Sequence, residues 1–222
     1  MNENIYAYLD YLFPIAKCEL NYNKDYEFLI AVSLSAQTTD KKVNKVTSVL
    51  FKKYDDLEKL MNANVNDIED IIREIGTYHK KALFVKEIAK SIYEYGGYVP
   101  NDRKFLEGIK GVGHKTCNVV LANLFDEPAM AVDTHVKRVS ERLGVSKSKD
   151  SVLDVEKKLM KKVPRERWNR THHQLVLFGR YKCKAISPLC SECKIKDFCN
   201  YKRKTGKWYL FYWVMFTVLV LV

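Results

Sequence analysis

The 222-residue sequence predicts an all-α fold, on three observations. Apolar residues recur at helical spacing, glycines stand where such segments stop, and no stretch before residue 208 alternates apolar with polar as a half-buried strand requires. In chain order, Ile5, Tyr8, Leu9 and Leu12 make one apolar face, and Val43, Val46, Val49 and Leu50 a second. Val65, Ile68, Ile71, Ile72 and Ile75 make a third, whose start the capping-box spacing of Asn66 and Glu69 predicts. Gly76, Gly96 and Gly144 each follow a periodic segment, where a left-handed cap favours a residue without a side chain. Residues 105–116 read as a tight turn between two helices, the second continued by the apolar run 119–124. Asp133 then stands where it caps a helix over 134–143. The length allows one large domain or two small ones, and no repeat or low-complexity linker marks a boundary.

Near the C-terminus Cys183, Cys190, Cys193 and Cys199 fall within 17 residues in the pattern C-x6-C-x2-C-x5-C. Three structures suit four clustered thiols: two disulfides, a zinc site or an iron–sulfur cluster. Disulfides fit poorly, because Glu3 and Asp10 interrupt the apolar residues of the first 16 positions and leave no hydrophobic signal core. A reducing, cytoplasmic location is the expectation. Zinc sites usually draw on two close pairs, whereas only Cys190 and Cys193 form a C-x2-C pair here. The spacing therefore favours a four-thiolate cage around a larger cluster. Cys18 and Cys117 read as small buried apolar residues.

Charge is unevenly spread. The chain has 38 Lys+Arg against 27 Asp+Glu, a formal net charge of +11. Residues 157–207 alone carry 16 basic and three acidic side chains, so the cysteine cage lies in the one strongly cationic stretch. A polyanion is the natural partner for such a surface, since neutralising phosphates releases counterions. Charge by itself is equally compatible with a solvated basic face. In the 105–116 turn, Gly111 and Gly113 bare backbone N–H groups just before a helix begins, which makes a seat for a phosphate.

Five ordered segments together carry a resemblance: Leu34-Ser35-Ala36-Gln37-Thr38-Thr39-Asp40, Gly111-Val112-Gly113-His114-Lys115-Thr116, Val132-Asp133-Thr134-His135, Gly179-Arg180-Tyr181 and the four cysteines. From about residue 20 to 204 the chain resembles the helix-hairpin-helix DNA glycosylases, and within them the endonuclease III family. The resemblance implies an all-α, two-lobed fold with a DNA groove. A six-helix barrel over 18–127 would carry the hairpin; 1–17 and 128–207 would form a lobe holding one 4Fe-4S cluster on the four cysteines. It implies a monomer that acts on double-stranded DNA with damaged bases or abasic sites in base-excision repair.

Lys115 and Asp133 invite a chemical reading. A neutral lysine amine can attack the anomeric carbon, displace the base and leave a Schiff base that allows elimination of the 3′ phosphate. A place in the first helical turn, where the dipole is positive, disfavours the ammonium form. A carboxylate can take the lysine's proton and offset cationic charge on the sugar. For Asp133 the residues alone favour a plain N-cap; the resemblance reverses that preference, and one carboxylate can serve both roles. Relatives that hydrolyse with water alone lack the lysine, so Lys115 implies a bifunctional N-glycosylase and abasic-site lyase for oxidised pyrimidines. The resemblance makes Gln37 the residue that fills the space left by the extruded nucleotide. Asp40, His135 and Arg138 become site supports or DNA contacts, joined by Gly111, Gly113 and Lys184. The rival reading is a non-catalytic iron–sulfur protein that binds DNA or senses redox state.

The sequence also departs from the family. Thr77 follows Ile75-Gly76 where a bulky apolar wedge is common, and His114 replaces an arginine. Only Lys184 is charged between Cys183 and Cys190, so phosphate contacts are expected to shift to Lys182, Lys194 and Lys196. The last 15 residues, 208–222, carry no charge. As a helix they would span about 22 Å, short of the roughly 30 Å hydrocarbon core. An extension without catalytic purpose is favoured over membrane association, with aggregation expected if it is exposed.

Overall fold

The computed structural model describes residues 1–201, so the apolar segment 208–222 lies outside the described residues. Eleven α-helices and no strand make up the described chain: α1 (Glu3–Leu12), α2 (Asp25–Leu34), α3 (Asp40–Lys53), α4 (Leu57–Asn62), α5 (Val65–Ile72), α6 (Tyr78–Tyr95), α7 (Arg103–Gly108), α8 (His114–Leu124), α9 (Thr134–Arg142), α10 (Val152–Lys162) and α11 (Trp168–Tyr181). They group into two compact units, one of Cys18–Ala131 and one joining Met1–Lys17 to the residues from Val132 onward.

In the Cys18–Ala131 unit, α2 is the central rod. Every residue from Tyr26 to Leu34 is buried, because α3, α6 and α8 all pack on it. A helix covered on all sides is apolar all round and shows no stripe in sequence. Its neighbours are amphipathic: Val43, Val46 and Leu50 of α3, Ile68 and Ile72 of α5, and Ile88 and Ile92 of α6 turn inward. Val49, expected on the α3 face, is 53% exposed, since it lies off the stripe set by the other three. The start of α5 also differs from expectation. Asn64, not Asn66, is the N-cap, its side chain accepting from the Asn66 amide at 2.9 Å. Gly96 and Gly144 take left-handed backbone as expected, but Gly76 does not; the next residue, Thr77, does so at φ 58°.

The second unit is built from distant stretches of chain. Ile5, Tyr8 and Leu9 of α1 are buried along with Val136 and Val139 of α9, Leu159 of α10 and Leu175 and Phe178 of α11. Tyr8 meets Phe178 edge-on, with ring centroids 6.2 Å apart. Polar bonds also tie α1 in place. The N-terminal ammonium donates to the Lys162 carbonyl, and Asp10 accepts from Arg167 and Gln174 at 2.8–3.0 Å. Burial disfavours the charged Asp10, yet the bonds from Gln174 and Arg167 and the charge of Arg170 hold its carboxyl below the usual range.

Candidate functional site: a helical hairpin and a cysteine cage

The hairpin lies within the Cys18–Ala131 unit. α7 ends at Gly108, the chain turns through Ile109–Gly113, and α8 starts with Gly113 as its N-cap. Ile109 and Val112 are buried beneath the turn. Gly111 has φ +98°, and a Cβ there would lie 2.5 Å from Phe84 Cγ, so both the backbone and the space call for glycine. The Ser33 hydroxyl donates to the Gly111 carbonyl at 2.9 Å and ties the turn to α2. Lys115, the second residue of α8, is exposed. His114 binds Glu107 of α7 through Nδ1 at 3.1 Å, and Arg103 binds the same carboxylate at 2.9 Å. Against the pull of burial, those two bonds hold Glu107 below the usual carboxylate range. The histidine in the arginine's place thus braces the hairpin's two helices against each other.

Gln37 lies in the turn between α2 and α3, exposed and left-handed at φ 58°. Asp40 is in the first turn of α3, which Thr39 caps by accepting from the Lys42 amide. A feature absent from the sequence reading is Lys81 of α6: 3% exposed, it donates through Nζ to the Ala36 carbonyl at 2.7 Å.

In the other unit Asp133 is the N-cap of α9, with Oδ1 accepting from the Val136 amide at 2.8 Å. The expected end at 143 is one residue long, since α9 closes at Arg142 with Leu143 as its C-cap. α11 crosses α9 at Gly179, where a Cβ would come within 2.8 Å of His135 Cβ; the contact requires glycine. Arg138 points toward the protein, donating to the carbonyls of Gly179 at 2.8 Å and Cys183 at 3.2 Å. Its Nη2 also lies 3.2 Å from His135 Nδ1. Burial, with Arg138 and Arg180 nearby, lowers the His135 imidazole despite the opposing Asp133, so at neutral pH the ring is neutral and accepts from Arg138.

Cys183, Cys190, Cys193 and Cys199 all line one cavity with Tyr8, Arg142 and Phe178. Three-residue turns bring them there: the Cys193 amide donates to the Cys190 carbonyl, Lys196 to Cys193, and Cys199 to Lys196. No disulfide joins them, and Cys117 is a buried thiol pushed up to about 11 by burial. Cys18 is only partly buried, against the same core. All four cage thiols face one shared space. A ring of four thiolates about one cavity is a donor set that an iron–sulfur cluster takes. Arg142, also unread in the sequence, anchors the ring. It donates to Cys183 Sγ at 3.2 Å and the Lys184 carbonyl at 2.7 Å, and its guanidinium stacks on Tyr201 at 4.0 Å. Lys184 is exposed, Lys182 pairs with Glu192 at 3.3 Å, and the Lys194 amine lies 4.8 Å from the Tyr11 ring centre.

Comparison with known proteins assigns both regions. Residues 30–165 match the HhH-GPD superfamily of base excision DNA repair proteins, and residues 183–199, the first cysteine to the last, match the iron–sulfur binding domain of endonuclease III. Endonuclease III of Bacillus subtilis (strain 168) is 50% identical over 197 residues, covering 88% of this chain and 90% of the relative. That of Escherichia coli (strain K12) is 43% identical over 192 residues, covering 86% and 90%. A solved structure of a trapped endonuclease III–DNA covalent intermediate is similar at TM-score 0.87 and 44% identity, covering 93% of this chain and 99% of that one. A thermostable thymine-DNA glycosylase is similar at TM-score 0.79 and 25% identity, covering 91% and 96%. With its hairpin and cysteine ring in the matched segments, the chain belongs to the HhH-GPD superfamily of base excision DNA repair proteins, in the endonuclease III family of iron–sulfur DNA glycosylases.

Proposed function

We propose that this enzyme is a bifunctional DNA N-glycosylase and abasic-site lyase that removes oxidised pyrimidines from double-stranded DNA as a monomer. The observation that carries the reading is Lys115, an exposed amine in the first turn of α8 directly after the glycine turn. Its free amine attacks the anomeric carbon as the C–N bond breaks, the base departs with the bonding pair and takes a proton from solvent, and the amine's surplus proton passes to Asp133. Ring opening leaves a Schiff base on Lys115, and loss of a proton from the adjacent sugar carbon expels the 3′ phosphate as the leaving group. A relative trapped as a covalent intermediate with DNA supports the covalent route. Asp133 already serves as an N-cap, which fixes its carboxylate while its second oxygen stays available to a proton.

In this reading the amides around Gly111 and Gly113 seat a DNA phosphate. Gln37 fills the space left by the extruded nucleotide, with Thr77 at the wedge position. Asp40 supports the turn that carries Gln37. His135 and Arg138 support Asp133 from its own helix, and Lys184 meets the DNA backbone from the cysteine loop. Cys183, Cys190, Cys193 and Cys199 would hold one 4Fe-4S cluster through four thiolates, and the cluster would supply structural support to the loop.

Borohydride reduction of the enzyme with an abasic duplex tests the assignment. The wild type is expected to form a covalent adduct and cut the strand without magnesium. Lys115→Ala should lower both by at least about 10³-fold. An adduct of undiminished yield in Lys115→Ala would refute the nucleophile, and magnesium-dependent cutting in that variant would point to a hydrolytic nuclease.

A further inference from the structure

Lys81 and Phe84 of α6 follow its N-cap, Thr77, at i+4 and i+7. Each meets a different turn. Thr77 is itself the left-handed N-cap at φ 58°, and its carbonyl accepts the Lys81 amide at 3.1 Å. Lys81 Nζ binds the Ala36 carbonyl at 2.7 Å, on the peptide that leads into left-handed Gln37. Phe84 lies under Gly111, leaving no room for a side chain there. Two non-glycine residues with positive φ, both exposed, are thus joined through one buried lysine. Left-handed backbone outside glycine costs about 1–2 kcal/mol at each site and persists only where the surroundings enforce it. A lysine is also a costly residue to bury, and burial lowers its pKa, so an apolar side chain at 81 would serve packing better.

We propose that Lys81 is a positioning residue, a strut that sets the Gln37 turn against the Thr77 turn so that both enter the duplex as one rigid pair. The inference deepens the proposed function and rests on the DNA-facing roles given there to Gln37 and Thr77. Lys81 touches neither base nor sugar; it acts through the Ala36 carbonyl. Without its donor the Ala36–Gln37 peptide is free to leave the left-handed well. The penalty then falls on substrates whose extrusion leaves a hole to fill.

The test compares holoenzyme of wild type, Lys81→Met and Lys81→Arg. Substrates are a duplex with one 5,6-dihydrothymine opposite 2-aminopurine, and a single-stranded abasic oligonucleotide. Lys81→Met should slow single-turnover excision from the duplex about tenfold and blunt the 2-aminopurine fluorescence change. Borohydride trapping on the single strand, where no hole needs filling, should stay within about twofold of wild type. Lys81→Arg, which keeps a donor, should recover most of the duplex rate. Amide exchange at residues 35–39 should rise in Lys81→Met while α2 stays protected. Wild-type duplex kinetics in Lys81→Met, an equal fall on both substrates, or unchanged exchange at 35–39 would each overturn the strut. A wild type that neither excises nor traps sinks the enzyme assignment instead, and the exchange comparison still decides whether Lys81 holds the turn.

Discussion

The glycine hairpin and the cysteine ring are positioned by opposite means. The hairpin's turn rests on dry packing, with buried Ile109 and Val112, Phe84 beneath Gly111 and one hydroxyl bond from Ser33, while the bonds of His114 and Arg103 to Glu107 brace its helices. The ring rests on polar bonds, from Arg138 and Arg142 to the carbonyls of Gly179, Cys183 and Lys184. Between Cys183 and Cys199 only Ile195 is buried among the apolar residues, and Ile186 is 85% exposed. Burial, with the neighbouring thiols, raises the Cys193 thiol. One region is held by packing, the other by hydrogen bonds to backbone carbonyls.

Removing the cofactor is the sharpest way to break this contrast. Cys193→Ser should abolish the visible iron–sulfur absorbance and destabilise the 183–199 loop by on the order of 5 kcal/mol or more. Hydrogen exchange should then show that loop and the end of α11 opening while α2 and α8 remain protected. Equal loss of protection in both regions would mean that the hairpin also depends on the cluster.

A smaller effect comes from the packed side. Gly111→Ala places a methyl against Phe84 and strains φ, and should cost about 2–3 kcal/mol in urea unfolding. Adding Phe84→Ala should return part of that loss, since the clash but not the backbone strain is relieved. If the cysteine-ring absorbance also falls in Gly111→Ala, the two regions are less independent than their bonding suggests.

Acid should expose the smallest difference. Burial, with Arg180 nearby, pushes His173 of α11 down to about 4. Because its folded pKa is below the unfolded value, the unfolded chain takes up a proton first, and stability falls as pH drops from about 6.5 to about 4. After discounting for solvent screening the loss is about 2 kcal/mol, and His173→Asn should remove that slope. Asp10 adds a further loss at still lower pH, as its carboxyl protonates through its depressed folded pKa and releases Arg167.

Legibility in the sequence followed the same divide between local rule and long-range contact. The α5 stripe, the hairpin glycines, the Asp133 cap and the cysteine spacing are local patterns, and each could be read from neighbouring residues. α2 was opaque as a helix because burial on every side erases its period, although its end carried the Gln37 segment. Lys81 and Arg142 were missed for a different reason. Both read as solvated charges in sequence, and only the fold supplies the carbonyls that draw them inward. An i, i+4, i+7 row of Thr77, Lys81 and Phe84 was the one available signal for Lys81, and its mixed chemistry conceals it from a search for apolar stripes. The Gly76 expectation failed because the left-handed residue is the one after the glycine, Thr77, which opens α6 as its N-cap and accepts the Lys81 amide.

Because α1 belongs with helices encoded after residue 131, the order of synthesis matters. The contiguous stretch from Cys18 to Ala131 is free to close its interior while still attached to the ribosome. The first 17 residues must meanwhile wait for Lys162, Arg167 and Gln174 to emerge before they find their bonds. Cys199 leaves the exit tunnel later still, so iron delivery is necessarily a late event in this protein's maturation. A nascent chain stalled before that point would present a finished repair hairpin beside an orphaned N-terminal helix.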